Sequence, residues 1–218
     1  DKELTQAITE IKMTSNKTVY AGWEETDVPG MLNGEDHYAY VVGYEDGTVR
    51  PGGNISRAEV ATIFFRMLTD ESRNAYWSQS NSFTDVAADA WYNNAISTMT
   101  NAGILDGYED GSFHPNGYIT RAEFATIAVR FFDLSYQGED LFPDIDGHWA
   151  QDYINQAADA GIIEGYPDGT FGPQKQITRA EAVTMVNRTL DRHPDQDHFL
   201  EDMLCLLYTS PSPRDSTS

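Results

Sequence analysis

The chain has 218 residues, 40% apolar and 12% aromatic, which suits one or two folded domains or a short repeat array. Asp and Glu number 35 against 14 Lys and Arg, a net charge of −21. That charge repels phosphates and anionic lipid, which excludes non-specific nucleic-acid binding and an anionic membrane surface, and no apolar run reaches the roughly 18 residues that would span a bilayer.

Residues 1–25 read as a linker or the end of an upstream domain, with no initiator Met and no signal peptide, so Asp1 reads as a cut end. Three copies of one unit follow. "GYEDGTVRPGGNISRAEVATIFFRML" (43–68), "GYEDGSFHPNGYITRAEFATIAVRFF" (107–132) and "GYPDGTFGPQKQITRAEAVTMVNRTL" (165–190) align without a gap. The copies occupy 26–72, 82–134 and 141–192, the first shortened. Its "TDVPGMLNGEDHYAYVVGY" leaves no room for a full helix before Gly43, and no tryptophan opens it. His37 and Tyr38 are the residues that would substitute there.

In copies two and three, "FTDV" (83–86) and "FPDI" (142–145) precede a first helix. Trp91, Ala95, Ile96 and Met99 sit at i, i+4, i+5 and i+8, one apolar stripe. Asp85 and Asp144 are expected to cap or tether that helix. Gly103 and Gly161 fall where the chain leaves it left-handed. "YEDG" and "YPDG" read as tight turns in which Asp bonds its own backbone and Gly supplies positive φ. The second helix opens with a capping box, Ser56 with Glu59, Thr120 with Glu123 and Thr178 with Glu181. Val60, Ile63, Phe64 and Met67 continue it as an apolar stripe. The expected fold is mainly α: three helix-loop-helix repeats pooling their stripes in a three-lobed helical bundle, with little strand.

Residues 193–204 are an acidic linker, and 205–218, which carry the single cysteine Cys205, match one reading frame of a transposon-type sequencing adapter. Natural sequence is therefore expected to stop near Leu204.

Six arginines occupy two repeat columns. Arg66, Arg130 and Arg188 close the second helix, where a cation meets the negative end of the dipole and caps free carbonyls. Arg57, Arg121 and Arg179 open it, where a cation is electrostatically misplaced. Two accounts stand side by side. Each Arg pairs with the capping Glu or the turn Asp of its own unit, or it joins the helix-start N–H groups in an anion site. Trp91, Trp149, Tyr108 and Tyr166 are either ordinary core or stacking faces for sugar rings. An acidic sugar would use both features, its ring on an aromatic face and its carboxylate on Arg.

These residues resemble S-layer homology (SLH) domains, through the F-x-D opening, Trp91 and Trp149, "AGI", "GYEDG" and "GYPDG", and "ITRAE" at 119–123 and 177–181. The resemblance covers about residues 26–190. It implies a pseudo-threefold spindle that anchors secreted bacterial proteins non-covalently to the cell wall. The implied partner is a peptidoglycan-associated secondary cell-wall polysaccharide, often pyruvylated, lying in grooves between lobes; other S-layer subunits are a further partner, and the location is extracellular. The basic residue of "TRAE" engages the charged sugar, which maps to Arg57, Arg121 and Arg179. Trp91, Trp149, Tyr44, Tyr108, Tyr166, Asp46, Asp110 and Asp168 complete the expected polysaccharide-binding set. Changing Arg121 and Arg179 to Ala is expected to abolish wall binding and leave the fold.

No nucleophile triad, P-loop, zinc-protease motif or dinucleotide fingerprint occurs, and His37, His114, His148, His193 and His198 lack metal-ligand spacing. No catalysis, cofactor or metal is expected in this stretch. The alternative function is a structural or calcium-binding helical repeat without glycan binding, the latter suggested by Asp144, Asp146 and Gly147 in "FPDIDGHW".

Overall fold

The computed structural model describes residues 28–34 and 40–192. His37, Tyr38, the segment 1–25, the acidic linker and Cys205 lie outside the described residues. The protein is mainly α, with α1 (Arg57–Met67), α2 (Asp70–Tyr76), α3 (Asn93–Asn101), α4 (Arg121–Val129), α5 (Gln151–Asp159) and α6 (Arg179–Thr189). No strand occurs among the described residues; isolated antiparallel bridges take its place.

Each repeat builds its second helix in the same way. Ser56, Thr120 and Thr178 cap α1, α4 and α6, and all three capping boxes close with Glu59, Glu123 and Glu181. Ahead of each cap a tight turn is tied by its own aspartate: Asp46, Asp110 and Asp168 accept from the backbone N–H two residues on, at 3.0, 2.9 and 3.0 Å. The following Gly47, Gly111 and Gly169 have φ of 77°, 80° and 83°, which a side chain would strain.

The first helices depart from expectation at their starts. α3 begins at Asn93 and neither it nor α5 has a side-chain cap. Asp85 instead takes the N–H groups of Phe113 and His114, both at 2.8 Å, and Asp144 those of Phe171 and Gly172 at 2.8 and 2.7 Å. Each carboxylate thus fastens the opening motif to the loop beyond the turn, because two adjacent backbone donors there have no ladder to join. Beside them Phe83 packs on Phe113 and Phe142 on Phe171, with ring centroids 5.3 and 5.4 Å apart. Only Ala95, Ile96 and Met99 of the apolar stripe are buried; Trp91 is 65% exposed.

The three repeats close on one another in a ring. The N–H of Ile55 donates to the carbonyl of Ile177 (3.2 Å), Ile177 to Ile119 (3.1 Å) and Ile119 to Ile55 (3.1 Å). All three side chains are buried at this axis. Around it α1 packs on α3 and α4 on α5, and Phe64, Phe113, Phe124 and Phe171 fill the core. Each buried phenyl ring contributes about 1.5–3 kcal/mol. The shortened first repeat supplies no helix ahead of Gly43 among the described residues. Tyr40 reaches across to α6 instead, donating its hydroxyl to Asn187 at 2.6 Å.

Candidate functional site

At the start of α1 the first two N–H groups, of Arg57 and Ala58, donate to Gly117 and Pro115 of the next repeat, both at 2.9 Å. Arg121 and Ala122 of α4 donate to Lys175 and Pro173; Arg179 and Ala180 of α6 donate to Gly53 and Pro51. The third N–H of each helix goes to its cap hydroxyl. These helix starts therefore have no free donors for an anion, and that part of the expected anion site is corrected: the neighbouring loop fills the place a ligand would take.

The opening arginines follow the same direction. Arg57 donates from Nε to Phe113 O (2.8 Å), from one terminal nitrogen to Glu123 (2.8 Å) and from the other to Asp106 O (3.2 Å). Arg121 donates to Phe171 O (2.8 Å) and Glu164 O (2.6 Å), with Glu181 at 3.8 Å. Arg179 donates to Val49 O (2.8 Å), Val42 O (3.0 Å) and the Glu59 carboxylate. The carboxylate partner is thus the capping Glu of the next repeat, not of the same unit, and the turn aspartates do not take part. Burial pulls the Arg121 guanidinium below its usual range. All three arginines are buried, which explains how a cation tolerates the helix start: a neighbouring carboxylate and two carbonyls outweigh the dipole.

Each guanidinium also lies against a turn tyrosine, Arg57 over Tyr108 at 4.8 Å, Arg121 over Tyr166 at 4.6 Å and Arg179 over Tyr44 at 4.9 Å. Tyr108 donates to Glu123 at 2.6 Å, and burial, then that bond, pushes its hydroxyl up to about 12. The result is an Arg–Tyr–Glu floor assembled from two repeats.

Among the described residues, a groove opens above two of these floors. The first, about 640 Å³, runs over Arg57, Tyr108, Glu123 and Arg130 and is edged by Trp149 of the third repeat. The second, about 420 Å³, runs over Arg179, Tyr44, Glu59 and Arg66 and is edged by Trp91 of the second repeat. Both tryptophans are solvent-exposed, at 60% and 65%, so the core reading of them is overturned. The third set, Arg121, Tyr166, Glu181 and Arg188, receives no tryptophan from the described part of the first repeat.

The structure therefore brings Arg57 together with Tyr108 and Trp149, and Arg179 with Tyr44 and Trp91. Asp46, Asp110 and Asp168 stay on exposed turns outside both linings. Arg66 and Arg130, expected to cap their own helices, instead donate to Tyr40 O (3.2 Å) and Ile104 O (3.1 Å) and face the grooves. Their signal was present in the spacing: Glu59, Thr62, Ile63 and Arg66 fall at i, i+3, i+4 and i+7, a second helix face beside the core stripe.

Comparison with known proteins decides the family. The profile of the S-layer homology domain matches residues 38–61, 82–125 and 141–183, half of the chain. The chain belongs to the S-layer homology domain family. It is 45% identical over 184 residues to Cell surface glycoprotein 1 of Acetivibrio thermocellus, covering 78% of this chain and 8% of that protein. To the Cellulosome-anchoring protein of the same organism it is 40% identical, covering 80% of this chain and 40% of that protein. To the Surface-layer 125 kDa protein of Lysinibacillus sphaericus it is 35% identical, covering 69% and 13%. The chain spans less than half the length of these relatives. As an SLH module it is a non-catalytic anchoring domain of the extracellular, wall-associated surface. Among the described residues no group of three or more His, Cys, Asp or Glu could hold a metal ion, and both oxygens of Asp144 are spent on backbone N–H groups.

Proposed function

We propose that the two grooves bind an acidic, pyruvylated secondary cell-wall polysaccharide and thereby fix an attached protein to the wall. The observation that carries this is the pairing, in each groove, of an exposed tryptophan from one lobe with a guanidinium–tyrosine floor from two others. A sugar ring stacks on an exposed indole. Arg57 spends three of the five N–H groups of a guanidinium on protein acceptors, which leaves donors for a ligand oxygen. A net charge of −21 repels an acidic polymer at long range, so binding rests on these short-range pockets.

The test follows from exposure. Arg121→Ala with Arg179→Ala, the variant favoured by sequence alone, removes buried pins and confuses binding with folding. Trp91→Ala with Trp149→Ala leaves the core intact. The expected result is loss of co-sedimentation with purified cell-wall sacculi at an unchanged melting temperature. Sedimentation equal to that of the parent chain, or equal on sacculi stripped of polysaccharide, overturns the proposal.

A further inference from the structure

The two grooves are built alike, and one column sets them apart. Arg130 in the first groove pairs with Asp106 at 2.6 Å, and Arg188, its counterpart in the third repeat, pairs with Glu164 at 3.0 Å. The same column in the first repeat holds Val42, which is 60% exposed at the second groove. Among the described residues Arg66 has a carbonyl partner, Tyr40 O at 3.2 Å, and no carboxylate partner. Its tyrosine-floor neighbour Arg179 is matched by Glu59. Among the described residues, the second groove thus keeps a guanidinium with no carboxylate paired to it. The first groove sets Asp106, Glu109 and Glu123 against Arg57 and Arg130, which leaves an excess of carboxylate.

We propose that the second groove is the anion-selective one, with Arg66 as the residue that discriminates a carboxylate-bearing sugar and Val42 as the substitution that frees it. The first groove takes neutral sugar units of the same polymer. Arg66 spends one terminal N–H on Tyr40 O and keeps further donors for a carboxylate, while an anion entering the first groove meets Asp106 already seated on Arg130. This rests on the groove reading above and adds a division of labour between the grooves.

The indole N–H resonances of Trp91 and Trp149 report the two grooves separately. The probes are wall-glycan fragments released from Acetivibrio thermocellus, used native and with their carboxylates reduced to alcohols. The native fragments are expected to shift the Trp91 signal at lower concentration than the Trp149 signal. Carboxyl reduction is expected to close that gap. Val42→Asp is expected to weaken binding at Trp91 about two- to fivefold, the range a partly exposed ion pair supplies, and Asp106→Val to strengthen it at Trp149. Both positions are exposed, so neither change threatens the fold. Equal response of the two indoles to native fragments, or a Val42→Asp chain that binds as tightly as its parent, overturns the selectivity and leaves the groove reading standing. If neither indole responds to either preparation, the groove reading falls and this inference with it.

Discussion

A guanidinium at the first position of a helix looks like an error until its partners are located. Arg57 satisfies a carboxylate and two carbonyls of the next repeat from a buried position. Arg57→Ala strands the Glu123 carboxylate and the Phe113 carbonyl together, so it is expected to cost about 3–5 kcal/mol in urea unfolding. Arg57→Lys keeps the charge and loses the fork, and is expected to recover less than half of that. Trp91→Ala is expected to stay within about 0.5 kcal/mol of the parent, since exposed side chains contribute little to stability. Titration at this scale has a definite sign. The turn bonds hold Asp46, Asp110 and Asp168 below the usual carboxylate range, chiefly through Thr48, Ser112 and Thr170. Their stabilisation is present above about pH 4 and fades as pH falls further. Burial pushes Tyr40 and Tyr108 up to about 12, so their contribution is complete below about pH 10 and fades from there to about pH 12. Urea midpoints are expected to form a plateau from about pH 5 to 9 with a fall on each side, and Tyr108→Phe to flatten the alkaline limb.

Among the elements, α1, α4 and α6 share a capping box, but their capping glutamates are not equal. Glu123 closes its box on Thr120, accepts from Arg57 at 2.8 Å and accepts from Tyr108 at 2.6 Å. Glu181 closes its box on Thr178 but stands 3.8 Å from Arg121. Glu181→Ala is therefore expected to cost about 1 kcal/mol, the worth of a cap. Glu123→Ala is expected to cost several times that, because it also leaves the buried Arg57 guanidinium without its carboxylate, held by two carbonyls alone. Thermal denaturation of the two variants side by side checks the order. The turns before α4 and α6 are constrained alike, with Gly165 against Phe142 as Gly107 is against Phe83. A Cβ on Gly107 would lie 2.3 Å from the Phe83 ring and 2.5 Å from Ser112 O, which is why the opening phenylalanine and that glycine occur together.

For the whole molecule the repeats are not independent. The first N–H groups of α1 are met by the second repeat, those of α4 by the third and those of α6 by the first. Removing any lobe exposes donors and a buried arginine in another. Deleting residues 141–218 is expected to leave a chain without cooperative unfolding, whereas the parent shows one calorimetric transition. Persistence of a sharp transition in the deletion would show that the ring bonds are dispensable. Where the first repeat has no first helix among the described residues, Tyr40 and Asn187 meet as a buried pair. Asn187 stands where the other repeats carry Phe65 and Val129, so the two polar residues are one local solution.

What the sequence by itself determined was everything held by neighbours in the chain: three units, three capping boxes, three aspartate turns, the left-handed glycines and the mainly helical class. Those contacts close within about four residues, so spacing reveals them. The partners of the arginines and of Asp85 and Asp144, and the exposure of the tryptophans, were decided only by the tertiary structure. The hydrogen-bond partners of Arg57, Arg121 and Arg179 lie 43 to 137 residues away, beyond the reach of any local pattern. A tryptophan ahead of an apolar stripe reads as core until ring closure turns it outward, and an arginine at a helix end reads as a cap until the groove beside it takes shape.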